Sequence, residues 1–154
     1  MNNNKLNYYN NIDYIEDMNY MNNKKIVNSK NNIKNNIKNS IKDRNDLISF
    51  IKSNKNMHII IKVGASWCGP CKKMKPQFNK LLNYLIKKYE KKIVYLEMDL
   101  DNDKDCCSYL RVKGVPNILY YKNGVVNQSM VGYKEDSLNK LFSYIERNIT
   151  IYNK

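Results

Sequence analysis

Apolar residues in this chain switch repeatedly between short continuous runs and a helical period, and few folds accept a chain patterned that way. Met57-His58-Ile59-Ile60-Ile61-Lys62-Val63 is a strand-length apolar run, which predicts a buried strand. Lys72 to Lys88 then carries Met74, Phe78, Leu81, Leu82, Leu85 and Ile86 at helical spacing, interrupted by Pro76, which must kink the helix or lie near its first turns. Ile93 to Met98 predicts a second buried strand and Asp103 to Leu110 a short helix. Ile118 to Tyr121 and Val125 to Met130 form a hairpin around Asn123-Gly124, a strong turn dipeptide. A last helix places Leu138, Leu141, Phe142, Ile145 and Ile149 on one face. Upstream, Asp43 to Ser53 puts Leu47, Ile48, Phe50 and Ile51 on one helical face, with Asp43 or Asn45 as cap. Ser40-Ile41-Lys42 is read as a short first strand. The resulting order, β-α-β-α-β-α-β-β-α, is that of an α/β domain.

Turn chemistry separates this region from the rest: all five glycines and all three prolines lie between residues 64 and 132. Residues 1–39 are instead Asn, Lys, Ile and Tyr in low-complexity tracts, a composition that buries too little apolar surface to offset chain entropy. They are expected to form a disordered extension, with the folded domain at 40–150. Ile33, Ile37 and Ile41 recur every four residues with lysines between and offer the alternative of a weak basic amphipathic helix, although the stripe is one residue wide. A length of 154 residues suits one domain plus such an extension. Four cysteines are too few for a disulfide-stapled scaffold, and no run reaches the ~18 apolar residues of a membrane span. The first residues lead into no apolar signal segment, so a reducing, cytoplasmic setting is expected.

The chemistry concentrates in Trp67-Cys68-Gly69-Pro70-Cys71-Lys72, between the buried strand and the helix. A helix N-terminus presents unpaired N–H groups and about half a positive charge, which stabilise a thiolate on Cys68 and make it the nucleophile. Two intervening residues place Cys71 one turn away, in reach of a mixed disulfide at Cys68, so the pair forms a two-electron switch. Pro70 sets the first turn and stiffens the spacer.

These residues resemble the thioredoxin family. Trp67 to Lys72 matches its active-site motif, Pro76 falls where that family kinks the same helix, Val115-Pro116 matches its cis-proline, and Gly124 and Gly132 fit as well. The similarity runs from about Ile41 to Cys71 and resumes from Leu96 to the final helix, with extra residues lengthening the second helix around Tyr84 to Lys92. The resemblance implies a thioredoxin fold, a central mixed β-sheet flanked by helices. It implies that Trp67 flanks the reactive thiol and that Gly69 and Pro70 form a flat surface for a protein substrate. It further implies that the residue before the cis-proline, Val115, pairs its backbone with the substrate strand, and that Pro116, Val131 and Gly132 complete the groove. The expected activity is reduction of protein disulfides, with no bound cofactor and with electrons from NADPH through a separate thioredoxin reductase-like flavoprotein.

One position departs from the family pattern. The buried Asp that members carry five residues before the tryptophan, thought to assist proton transfer at the second cysteine, is replaced by Lys62. Lys62 could relay the proton itself, its charge could stabilise the thiolate and make the couple more oxidising, or it could snorkel to water and leave the task to solvent. Gly64 likewise stands where the family often has a larger residue, leaving room beneath the dithiol.

Cys106 and Cys107 raise the question of zinc, but adjacent residues in a helix point about 100° apart and chelate one ion poorly, so no metal site is expected. Cys107 is expected in the core and Cys106 to be partly exposed, and His58, the only histidine, to be structural. The net charge of +13 accompanies no nucleic-acid motif and reads as a solvated face, with acidic partner proteins as the alternative. The functions that compete with a reductant are a disulfide oxidase or isomerase, suggested by Lys62, and a binding module whose redox state is incidental. Gly69-Pro70 argues against the oxidase, because the family's strong oxidants usually carry His there. A monomer is expected.

Overall fold

The structure, a computed structural model, describes residues 26–27 and 41–152. Its elements are β1 (Ile26–Val27), α1 (Arg44–Ser53), β2 (His58–Gly64), α2 (Gly69–Lys88), β3 (Ile93–Asp99), α3 (Lys104–Tyr109), β4 (Asn117–Lys122), β5 (Val125–Val131) and α4 (Glu135–Ile151). The strands form one mixed sheet in the order β1-β3-β2-β4-β5, in which only β2 and β3 run parallel.

Strand alternation sends the core to both sides of this sheet. Ile60 of β2, Ile93 and Tyr95 of β3, and Ile118 and Tyr120 of β4 face α2 and α4. Their neighbours Ile59, Ile61, Val63, Val94, Leu96, Met98, Leu119 and Tyr121 pack with buried residues of α1 and α3 on the opposite side. A strand covered on both faces has no solvent side on which to place polar residues, which is why β2, β3 and β4 read as nearly continuous apolar runs. β5 lies at the sheet edge and leaves Val125, Val126 and Val131 exposed.

Local chemistry sets the element ends. Of the two candidate caps, Asp43 serves α1, its carboxylate accepting from the Asn45 and Asp46 amides at 2.8 and 3.1 Å. Arg44 then ties α1 to α3 through Asp105, with Nε–Oδ1 at 2.7 Å. Asn123 and Gly124 take φ of 57° and 77°, the positive pair that a tight hairpin turn requires. All five apolar residues expected on the inner face of α4 are buried.

Two expectations need correction. Ser40-Ile41-Lys42 is not the first strand: Ile41 and Lys42 are outside any strand, Ser40 is outside the described residues, and Ile41 is a buried apolar residue leading into α1. The strand that opens the sheet is Ile26–Val27, paired antiparallel with Leu96 and Tyr95 of β3. The expectation of disorder over residues 1–39 otherwise falls outside the described residues, as does most of the Ile33, Ile37, Ile41 stripe. Helix α2 starts at Gly69, three residues before the helical stretch read from Lys72, and runs through Pro76 to Lys88.

At its far end α2 is clasped to α4. Glu146 Oε1 accepts from Tyr84 Oη at 2.9 Å, Lys88 Nζ at 3.0 Å and Tyr89 Oη at 3.2 Å. Hydrogen bonds to Tyr84 and Glu146, with the Glu146 charge, hold the Lys88 ammonium above its ordinary range. Glu146→Gln should therefore cost about 1 kcal/mol, less than a fully buried charged network because Lys88 is half exposed. Urea denaturation checks this, and an unchanged midpoint would show that the clasp adds nothing.

Candidate active site

β2 ends at Gly64, and the turn that follows is closed by the Cys68 amide donating to the Ala65 carbonyl at 3.1 Å. Cys68 is the N-cap of α2: its backbone is extended, and its sulfur accepts the Cys71 amide at 3.2 Å. Pro70 occupies the first turn, where its missing N–H leaves no helical bond unmade. Cys68 and Cys71 are joined in a disulfide with Cα atoms 5.3 Å apart. The pair is asymmetric in its surroundings. A Cβ placed on Gly64 would sit 3.7 Å from Cys71 Sγ, so the second sulfur faces the glycine at the strand end, with space for one more carbon between them.

The other candidate residues gather at the same end of the sheet. Trp67 is 63% exposed, and its indole N–H donates to Asp101 Oδ2 at 2.9 Å, on the loop between β3 and α3. Asp101 is in turn placed by Asp99, whose Oδ1 accepts the amides of Asp101 and Asn102. The Val115–Pro116 peptide bond is cis. Asn117, next in the chain, is in register with Val63 of β2 and with Val131 of β5, which places Pro116 beside the Gly64 end of β2. The Gly132 amide donates to the Pro116 carbonyl at 2.8 Å, and Gly132 takes a φ of 76° that suits only glycine without strain. Gly69, Pro70 and Val131 are exposed, Pro116 is buried, and Val115 and Gly132 are partly covered. Val131 and Trp67 are thus large apolar groups left open to solvent on this end of the fold.

Lys62 lies two residues before Gly64 and so on the same face of β2, under α2. Its ammonium is 3.3 Å from Glu97 Oε1 and 4.8 Å from the centre of the Phe78 ring, and 12% of its side chain is exposed. Glu97 is its register partner on β3.

The remaining candidates lie elsewhere. Cys106 was expected partly exposed, yet both Cys106 and Cys107 are 2% exposed, because the short helix α3 is wedged against α1 and the sheet and both thiols turn inward. Among the described residues no group of three or more Cys, His, Asp or Glu is arranged to hold a metal. His58 begins β2, at the end of the strand opposite Gly64. It is buried, with Nδ1 2.6 Å from Tyr120 Oη, and burial together with the Lys122 and Lys92 charges lowers its pKa to about 4.

Asp101 and Glu97 are the functional candidates that sequence reasoning missed. Asp101 sits in an Asx-rich run that could have flagged a structured loop, and Glu97 becomes visible only when β2 and β3 are set in parallel register.

Comparison with known proteins gives a consistent result. The family model described as Thioredoxin matches residues 40–147. Thioredoxin-1 of Caenorhabditis elegans is 32% identical over 95 residues, 62% of this chain and 78% of that protein. Thioredoxin of Gallus gallus is 30% identical over 93 residues, covering 60% and 84% respectively. Among solved structures, the oxidized form of mitochondrial thioredoxin 3 from Saccharomyces cerevisiae superposes with a TM-score of 0.54 at 26% identity, over 66% of this chain and 90% of that one.

Proposed function

Because this chain belongs to the thioredoxin family of protein-disulfide oxidoreductases, we propose that it works in the reducing direction, through a mixed disulfide on Cys68. In the reduced protein, the Cys68 thiolate at the head of α2 attacks one sulfur of a substrate disulfide. The substrate's other sulfur leaves as a thiolate and takes a proton. Cys71 then loses its proton and attacks Cys68 Sγ, which releases the second substrate thiol and closes the Cys68–Cys71 disulfide. Two electrons pass to the substrate. The observation that carries this reading is the disulfide at the N-terminus of α2, with one sulfur capping the helix and the other facing Gly64.

Trp67, Gly69, Pro70, Val115, Pro116, Val131 and Gly132 form the substrate surface in this proposal. Exposed Trp67 and Val131 support it, since an extended peptide between them would cover apolar area and could pair with the Val115 backbone. The disulfide is returned to the dithiol by a separate flavin-dependent reductase drawing on NADPH. The protein acts as a monomer in the cytoplasm, the compartment in which a protein-disulfide reductant finds reducing equivalents. Residues 40–150 are the domain that carries the chemistry. Limited proteolysis should cut ahead of about residue 42 and leave a fragment that still reduces insulin; protection of the segment before it would overturn that boundary.

The direction of the reaction is tested by equilibrating the protein with glutathione. A reduction potential near about −270 mV, the general value for thioredoxin, is expected, whereas one near about −200 mV would favour the oxidase or isomerase, toward which the Lys62 charge points. Retention of full biological activity by a Cys68→Ser, Cys71→Ser double variant would instead identify a binding module.

A further inference from the structure

The redox centre has a positive charge beneath it, and the structure shows what restrains that charge. Lys62 and Gly64 share the face of β2 that lies under α2, and a Cβ built on Gly64 would meet Cys71 Sγ at 3.7 Å, so the Lys62 backbone is about 7 Å along the strand from the residue that the second sulfur faces. A lysine stem is long enough to span such a distance. Its ammonium instead ends on Glu97 Oε1 at 3.3 Å, across the parallel β2–β3 register. The neighbours on the other elements are apolar: the Phe78 ring of α2 lies 4.8 Å from the ammonium, and Ile118 is the register partner on β4. Glu97 is itself placed by a hydrogen bond with buried Tyr95, two residues earlier on the same face of β3.

From this geometry we propose that Glu97 is a positioning residue of the redox centre: it tethers the Lys62 ammonium away from the Cys68–Cys71 pair and thereby keeps the couple reducing. The physical case is electrostatic. A positive charge close to a dithiol favours the thiolate over the disulfide and makes the couple more oxidising. With only 12% of the Lys62 side chain exposed, water screens it weakly, and the carboxylate 3.3 Å away is the group that offsets it. Glu97 is 41% exposed, so its own charge reaches the sulfurs mainly through its hold on Lys62 rather than directly. This role deepens the reductant reading and rests on it.

The test is a double-mutant cycle read as the thiol–disulfide equilibrium constant with glutathione at neutral pH. Glu97→Gln keeps the size and a hydrogen-bonding group at position 97, and Lys62→Met keeps an apolar stem over Phe78. Glu97→Gln should shift the equilibrium about tenfold toward the dithiol, which is about 30 mV for this two-electron couple. In the Lys62→Met background the same substitution should shift it less than about twofold. Equal shifts in both backgrounds would mean that Glu97 acts by its own charge, and no shift in either would mean that it is structural; each result overturns the proposal. The wild-type equilibrium judges the direction of the reaction, while the differences among variants judge Glu97, so the two can fail separately.

Discussion

Cys71→Ser should convert the protein from a catalyst into a trap. In this variant Cys68 keeps its place as N-cap of α2 and still attacks a substrate disulfide, but the sulfur that would displace the substrate is gone. Turnover with insulin should fall by about a thousandfold or more, the scale seen when a residue that forms or breaks the covalent bond is removed. A covalent protein–substrate adduct, stable without reductant and released by dithiothreitol, should accumulate. No other thiol of the domain can substitute, because Cys106 and Cys107 lie within α3, in the core between α1, α3 and the sheet, and not at the head of α2. Cys68→Ser should lose both turnover and adduct, since Cys71 is less able to start the reaction from one turn inside the helix. Non-denaturing mass measurement of the adduct decides the matter. An adduct on Cys71 in the Cys68→Ser variant, or turnover retained by Cys71→Ser, would reverse or abolish the assigned roles.

Acid should weaken the fold through His58, by an amount that can be isolated. Its folded pKa is about 4, below the ordinary 6.5, so between these values the unfolded chain binds the proton more readily than the folded one. The contribution is complete above about pH 6.5, declines as pH falls, and is spent near pH 4, a loss of about 3 kcal/mol in all. The cause is burial of the ring at 2% exposure, helped by the Lys122 and Lys92 charges. His58→Gln should start less stable at pH 7 but lose about 3 kcal/mol less than the wild type between pH 7 and pH 4. Urea unfolding at a series of pH values measures both slopes. Parallel curves for the two proteins would show that His58 does not carry the acid sensitivity.

Much of this architecture is legible in the residues because its determinants are local. The apolar runs of β2, β3 and β4, the Asn123-Gly124 turn, the Asp43 cap and the inner face of α4 each follow from neighbours within a few positions. What escapes is decided at longer range. Ile26–Val27 becomes a strand only by pairing with β3, and two residues carry no period to read. Cys106 is buried because the side of α3 that meets α1 and the sheet takes two adjacent residues, while Lys104, Asp105, Ser108 and Tyr109 stay exposed. The cysteines, Trp67 and Pro116 were visible as a motif, whereas Glu97 and Asp101 matter through partners in distant segments, Lys62 and Trp67.

The cap on α2 has one more consequence. Cys68 Sγ holds the Cys71 amide in the disulfide form, so the atom that changes oxidation state is also an atom on which the start of a twenty-residue helix depends. The disulfide closes a loop of only three positions, which removes less freedom from the unfolded chain than a long loop would, on the order of 2 kcal/mol. Whatever separates the melting of the oxidised and reduced proteins beyond that arises in the native state, at this junction. By thermodynamic closure that separation is the driving force of the electron transfer itself, measured against the unfolded dithiol: about 1.4 kcal/mol of differential stability corresponds to 30 mV. A calorimeter and a redox titration would be reading the same junction, one through heat and the other through electrons.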